Sequence, residues 1–170
     1  TEYAFSGGES MTVADVLARV VSFGCRHVCV TGGEPLAQKE SLELLTALCD
    51  AGHDVALETS GALDLSGVDA RVAKIMDLKA PGSGESERNR LENLALLGSR
   101  DEIKCVLASA ADYAWARHML AEHRLDALCE VLFSPVQGLL DPAELASWIV
   151  RDRLPVRFQL QLHKILWGQD

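Results

Sequence analysis

A glycine pair, an acid and a proline follow a short apolar segment, and these residues are the first that could bind a small molecule. Residues 28–30 are typical of a buried strand, and the sequence Thr31-Gly32-Gly33-Glu34-Pro35 then ends it. Paired glycines permit backbone conformations that side chains forbid and let a ligand approach the main chain. The acid is therefore predicted at the carboxyl end of a strand, where parallel sheets bind their ligands. An ordinary strand-to-helix turn is the alternative.

Further polar side chains follow the other predicted strands. They are Thr59, Ser60, Lys79, Ser134, Gln137 and His163. Because the carboxyl ends of parallel strands converge on one rim, a single ligand could contact all of them. Asp77 and Lys79 stand two residues apart on one face of their strand, so they form either an internal ion pair or a charge pair at a pocket mouth. A lone histidine in the position of His163 is more often structural than functional.

Helical and strand patterns alternate along the elements that must position these side chains. Apolar spacing predicts a helix from Val13, capped by Ser10 or Thr12, and another from Pro142, capped by Asp141. Further helices are predicted over residues 38–51, 87–97 and 111–123, and strands over 28–30, 55–59, 74–79, 102–107, 130–133 and 156–162. This alternation without a hairpin signal predicts a parallel α/β sheet, as a partial barrel or a doubly wound sheet, in a single domain over residues 1–170.

Composition excludes several classes of function. The 170 residues are 48% hydrophobic with a net charge of −9, which disfavours a nucleic-acid partner, and no apolar run is long enough for a membrane span. Five cysteines without framework spacing predict buried thiols in a reducing cytoplasm. Cys25 and Cys29 have no third cysteine at a metal-site interval, so we predict that both pack in the core.

Residues 32–35 after an apolar strand resemble the S-adenosylmethionine-binding motif of the radical SAM enzymes. Four other segments, by their order and spacing, resemble the 7-carboxy-7-deazaguanine synthase (QueE) family of the queuosine pathway. These segments are YAFSGG at 3–8, LETSG at 57–61, DLKAPGSGE at 77–85 and QLHKILWG at 161–168. The resemblance therefore extends over residues 1–168, nearly the whole chain.

The resemblance implies a partial (β/α)6-type radical SAM barrel and a carbon–nitrogen lyase. Members of the family contract the ring of 6-carboxy-5,6,7,8-tetrahydropterin to give 7-carboxy-7-deazaguanine, with loss of ammonia. It further implies S-adenosylmethionine, a [4Fe-4S] cluster and Mg²⁺ as cofactors, and a homodimer. A reducing electron donor such as flavodoxin is expected as a partner.

The resemblance also implies roles for individual residues. Gly33 and Glu34 would meet the methionine amino group of S-adenosylmethionine, and the rest of that cofactor would be lined by Gly61, Lys79, Ser134, Pro135, Val136 and Gln137. Thr59 and His163 would face the pterin. Thr1 would ligate Mg²⁺, for which a hydroxyl is a suitable hard ligand.

One departure from the family pattern is serious. The three cluster cysteines and the family's N-terminal substrate-binding segment do not occur in these 170 residues, and Cys25 and Cys29 cannot replace them. We therefore expect that the first strand and the cluster loop are missing and that these residues alone are inactive. The alternatives are another radical SAM enzyme, such as a glycyl-radical activase, and a non-catalytic α/β scaffold.

Overall fold

One parallel sheet organises the protein in the computed structural model, which describes residues 8–168. The six strands lie in the order of the sequence, and every neighbouring pair is parallel. They are β1 His27–Val30, β2 Asp54–Thr59, β3 Ala73–Asp77, β4 Glu102–Leu107, β5 Glu130–Pro135 and β6 Arg157–Phe158. All six strands therefore point their carboxyl ends to the same edge, as predicted.

Helices connect these strands. They are α1 Val13–Ser22, α2 Ser41–Asp50, α3 Ala110–Glu122, α4 Leu125–Leu128, α5 Pro142–Asp152 and α6 Leu162–Trp167. Thr12 caps α1 by accepting a hydrogen bond from the Asp15 N–H, and Asp141 caps α5 by accepting one from Ala143. Of the two predicted caps for α1, Thr12 is therefore correct. Between residues 8 and 168, no helix has the length and apolar character needed to cross a membrane.

The two faces of the sheet differ in burial because alternate side chains point to opposite sides. On one face Leu57 packs with Leu45 and Leu48 of α2, and Ile103 and Phe133 belong to a larger core on the same side. On the other face Ala56, Glu58, Asp77 and Lys104 are only half-buried. The sheet therefore has a covered apolar face and a more open face that carries charges, as expected for a partial barrel.

Two predicted elements were wrong in type or extent. The helix predicted over 87–97 is instead two short 3₁₀ turns, Ser86–Arg88 and Leu91–Leu96, because the side chains of Asn89 and Asn93 bond to the backbone of other loops. The strand predicted over 156–162 is limited to Arg157–Phe158, and α6 already begins at Leu162. The apolar spacing of Leu162, Ile165 and Leu166 favours this helix.

Cys25 and Cys29 were wrongly predicted to pack in the core, since both are exposed. β1 lies at an edge of the sheet, and its side chains are exposed or half-buried because, within residues 8–168, it pairs with β2 alone. By contrast, Cys105 and Cys129 are buried, as predicted. Although Cys29 is exposed, partial desolvation of its thiol raises the pKa, with a further contribution from the Glu58 carboxylate.

Brief alkylation of the native protein is therefore expected to modify Cys25 first, then Cys29, and to spare Cys105 and Cys129 until unfolding. Exposure admits the reagent at the first two sites, while the raised pKa of Cys29 reduces its reactive thiolate fraction. Mass spectrometry of the labelled peptides at increasing times measures the order. Equal rates at Cys25 and Cys105 would contradict the assignment of faces.

A polar cluster joins α3 to α5 beneath the covered face. The Tyr113 hydroxyl donates to Asp152 Oδ2 at 2.9 Å, and Arg117 Nη1 lies 3.0 Å from the same oxygen. Burial, followed by this hydrogen bond, raises the pKa of Tyr113 to about 12. Hydrogen bonds from Arg151 and Tyr113 lower the pKa of Asp152 to about 2.

Titration of phenolate absorbance is expected to show Tyr113 ionising near pH 12, well above the ordinary tyrosine pKa of about 10. Since the neutral phenol is favoured in the fold, its contribution to stability is complete below pH ~10 and disappears as the pH rises through about 12. The Tyr113→Phe variant should lose this late transition. A single transition near pH 10 in the wild type would disprove the shift.

Candidate active site

The Glu34 carboxylate ties the turn after β1 to the end of β2. Its Oε1 accepts a hydrogen bond from the Leu36 N–H at 3.1 Å, and its Oε2 accepts one from the Ser60 N–H at 2.8 Å. The Thr59 hydroxyl lies 2.9 and 3.0 Å from the two oxygens, and the Ser60 hydroxyl also donates to Oε2. Both oxygens are therefore engaged by the protein, and these hydrogen bonds fix the positions of two strand-end loops relative to each other.

The main chain beside Glu34 has the conformation that the glycine pair predicts. Gly32 and Gly33 both have positive φ angles, +103° and +58°. Pro35 is buried and opens the 3₁₀ turn Pro35–Ala37, and Glu34 caps that turn. Gly33 itself is exposed. Its main chain can therefore be approached by a ligand at the carboxyl edge of the sheet.

Thr59 and Gly61 form the corresponding turn after β2. Thr59 is 4% exposed, and its Oγ1 accepts a hydrogen bond from the Gly61 N–H at 3.1 Å. Gly61 has a φ of +71°, and a Cβ atom there would lie 2.7 Å from Met76 Cγ. The sequence requires glycine at this point for both conformation and space.

Lys79 stands just after β3 and forms an ion pair with Asp77, with Nζ and Oδ2 2.7 Å apart. Of the two alternatives that the sequence leaves open, the structure shows the ion pair. The Lys79 side chain is 31% exposed, so its ammonium is partly accessible. Lys79 lies at the same edge of the sheet as Glu34. Glu34 follows β1, Lys79 follows β3, and the loop after β2 lies between them.

The segment from Ser134 to Gln137 begins at the end of β5 and becomes more exposed along the chain. Ser134 is 1% exposed, and its Oγ has no hydrogen-bond partner within residues 8–168. Pro135 is buried, Val136 is half-buried and Gln137 is exposed. A buried hydroxyl without a partner costs free energy unless another group pairs with it, so Ser134 is a candidate for ligand contact.

Two other predicted site residues cannot be placed by their side chains. Thr1 lies outside the described residues. His163 lies in α6, and the structure does not describe its side chain. Both stay predictions.

Three polar residues that the sequence reasoning missed hold the strand-end loops in place. Asp112, in the first turn of α3, accepts hydrogen bonds from the Gly82 and Ala108 N–H groups, at 2.8 and 3.0 Å. Asn89 and Asn93 bond to the loops after β3 and β2. The signal available in the sequence was that Asn89 and Asn93 are the only asparagines of the 170 residues.

The open face of the sheet continues below these loops with charged side chains. Lys104 Nζ lies 3.8 Å from Glu58 Oε2, and Cys29 Sγ lies 4.0 Å from Glu58 Oε1. In the part of the chain that the structure describes, no group of three or more His, Cys, Asp or Glu residues could hold a metal ion.

Comparison with known proteins gives a consistent set of relatives, although no protein-family model matches the chain. A 7-carboxy-7-deazaguanine synthase of Chlorobaculum tepidum is 48% identical over 173 residues, covering 100% of this chain and 79% of that protein. Another protein of that name, from Koribacter versatilis, is 38% identical, and the alignment covers 100% of this chain and 82% of that protein.

Solved structures share the fold. The crystal structure of QueE from Escherichia coli superposes with a TM-score of 0.67 at 24% identity, covering 89% of this chain and 64% of that one. Streptococcus suis SuiB bound to S-adenosylmethionine superposes with a TM-score of 0.64 at 13% identity, covering 97% of this chain and 48% of that one. Both likenesses support the predicted partial barrel.

Proposed function

The chain belongs to the 7-carboxy-7-deazaguanine synthase family, and from this we propose that its strand-end loops bind S-adenosylmethionine for ring contraction of 6-carboxy-5,6,7,8-tetrahydropterin. The product is 7-carboxy-7-deazaguanine, formed with loss of ammonia. The observation that carries this proposal is the Glu34 network, which joins the turns at Gly33 and Gly61 on the carboxyl edge of one parallel sheet.

The described residues fit S-adenosylmethionine by their chemistry. Gly33 exposes its main chain, Lys79 provides a partly accessible ammonium, and Ser134 has a buried hydroxyl without a protein partner in residues 8–168. An amino acid moiety and a ribose offer polar groups that such donors and acceptors can bind. When bound together with a reduced iron–sulfur cluster, S-adenosylmethionine supplies a radical that abstracts hydrogen from the substrate.

This chain's residues contribute binding and orientation to that chemistry. Glu34 holds the Gly33 turn. The methionine amino group is proposed to contact the main chain of that turn as well as the Glu34 carboxylate. The Thr59 hydroxyl accepts a hydrogen bond from the Gly61 N–H, and Thr59 is proposed to lie against the pterin. Precise placement of the cofactor matters because a shift of about 1 Å can reduce a rate by about a hundredfold.

The residues for the cluster and for Mg²⁺ are not among those described, since residues 8–168 contain no group of three or more His, Cys, Asp or Glu side chains that could hold a metal ion. A [4Fe-4S] cluster, Thr1 as a Mg²⁺ ligand, an electron donor such as flavodoxin, a homodimer and a cytoplasmic location belong to the proposal on the strength of the family alone.

The test is an anaerobic assay of the complete gene product after cluster reconstitution, with S-adenosylmethionine, dithionite and 6-carboxy-5,6,7,8-tetrahydropterin. We expect 7-carboxy-7-deazaguanine by mass spectrometry, and none when S-adenosylmethionine is omitted. Formation of 5′-deoxyadenosine without the deazaguanine would instead indicate another radical SAM reaction. Failure to cleave S-adenosylmethionine at all would favour a non-catalytic scaffold.

A further inference from the structure

Two asparagines four residues apart bond to two different loops at the carboxyl edge of the sheet. Asn93 is completely buried, and its Nδ2 donates to the carbonyl oxygens of Gly61 at 2.9 Å and Leu63 at 2.7 Å. Its Oδ1 accepts a hydrogen bond from the Leu65 N–H at 3.2 Å. Both donor hydrogens and the acceptor of this amide are therefore used on the loop after β2.

Asn89 makes a matching pair of bonds to the loop after β3. Its Oδ1 accepts a hydrogen bond from the Lys79 N–H at 2.9 Å, and its Nδ2 donates to the Lys79 carbonyl oxygen at 2.8 Å. An amide that bonds both backbone groups of one residue fixes the backbone at that residue. The Lys79 ammonium is then held by the Asp77 carboxylate, 2.7 Å away.

The segment that carries both asparagines is itself anchored. Leu94, next to Asn93, is 7% exposed and belongs to the main core with Met76 and Leu78 of the adjoining strand region. Between the asparagines, Leu91 and Glu92 are exposed. Residues 89–93, which we call the brace, thus rest on the core at one end and bond to two separate loops.

We propose that the brace sets the spacing between Gly61 and Lys79, and that Asn89 and Asn93 are positioning residues for S-adenosylmethionine. This inference rests on the proposed function, because Gly61 and Lys79 are both among the loop residues assigned to that cofactor. Neither asparagine contacts the ligand in this role. Each acts through the backbone of the residue that does, so its effect falls on cofactor affinity rather than on pterin recognition.

The experiment compares Asn93→Asp, Asn89→Ala and the double variant with the wild type and Glu92→Gln. In Asn93→Asp a carboxylate replaces the two donors that faced the Gly61 and Leu63 carbonyl oxygens, with almost no change in volume. Glu92→Gln is the matched control because Glu92 lies between the asparagines and is exposed. Dissociation constants for S-adenosylhomocysteine and S-adenosylmethionine are measured by equilibrium dialysis on cluster-loaded protein, and amide hydrogen exchange is followed at Leu65 and Lys79.

We expect each single variant to weaken binding of both nucleosides by about tenfold, with KM for the pterin unchanged and the control equal to the wild type. Asn93→Asp should speed exchange at Leu65, and Asn89→Ala should speed exchange at Lys79. Because one spacing is set by two contacts, the double variant should lose less affinity than the product of the single losses.

Several results would overturn the brace. Faster exchange with unchanged nucleoside affinity would show that the loops loosen without consequence, and strictly multiplicative losses would show two independent contacts. If Asn93→Asp does not fold, Asn89→Ala decides alone, because Asn89 is only half-buried. A wild type that binds neither nucleoside would refute the proposed function, whereas a binding wild type with equally binding variants would refute only the brace.

Discussion

Replacement of Glu34 by alanine is expected to weaken S-adenosylmethionine binding by about a hundredfold and to lower the free energy of unfolding by about 2–4 kcal/mol. The reason is that four protein groups donate to this one carboxylate, from Leu36, Thr59 and Ser60. Removing it leaves the Leu36 and Ser60 N–H groups without that partner and frees the Gly33 turn from the end of β2. Isothermal titration of cluster-loaded protein and denaturant unfolding measure the two effects.

Two variants make this result specific. Glu40→Ala removes the same side chain six residues later, where Glu40 is exposed and makes no capping bond to α2, so it should change neither quantity appreciably. Glu34→Gln keeps one oxygen but places an NH₂ group against a donor, so most of the loss should remain. Unchanged affinity in Glu34→Ala would mean that the turn holds its shape without the carboxylate.

The sheet and the edge that gathers its strand-end loops could be predicted from the sequence because both depend on short-range patterns. Apolar runs that end at Gly33, Gly61 or Pro135 mark strand ends, and parallel pairing then brings those ends to one edge. The Asp77–Lys79 ion pair could also be anticipated, because residues two apart share a face of a strand. These features need no knowledge of distant contacts.

The features that the sequence did not reveal depend on contacts between distant residues. Glu34 is predicted to bind a ligand, but its pattern gives no sign of its contacts within the protein. Thr59 and Ser60, which are 25 and 26 residues away in the chain, bond to its two carboxylate oxygens. Asn93 falls in a stretch whose pattern predicts a helix. It supports the candidate site only through its hydrogen bonds to Leu63 and Gly61, which are 30 and 32 residues away in the chain. Likewise, Cys29 was predicted to be buried because the pattern of a strand does not tell whether the strand lies at the edge of a sheet.

Replacement of Gly61 by alanine is the second change with a large expected effect. We expect a loss of about 2–3 kcal/mol in the free energy of unfolding and a large increase in KM for S-adenosylmethionine. The new Cβ would lie 2.7 Å from Met76 Cγ and 2.9 Å from its Sδ, at a φ of +71°. Met76 is 2% exposed, so it has little room to move away, and the Gly61 carbonyl oxygen must shift from Asn93.

Gly84→Ala separates the two causes of this loss. Gly84 has nearly the same φ, +73°, but no atom lies within 4 Å of its added Cβ, so its variant bears only the conformational cost of about 1 kcal/mol. The difference between the two glycine variants then measures the contact with Met76. Adding Met76→Ala should cost less in the Gly61→Ala background than in the wild type, because the cavity accommodates the new methyl group. Equal losses at Gly61 and Gly84, with additive effects of Met76→Ala, would show that conformation alone requires glycine at position 61.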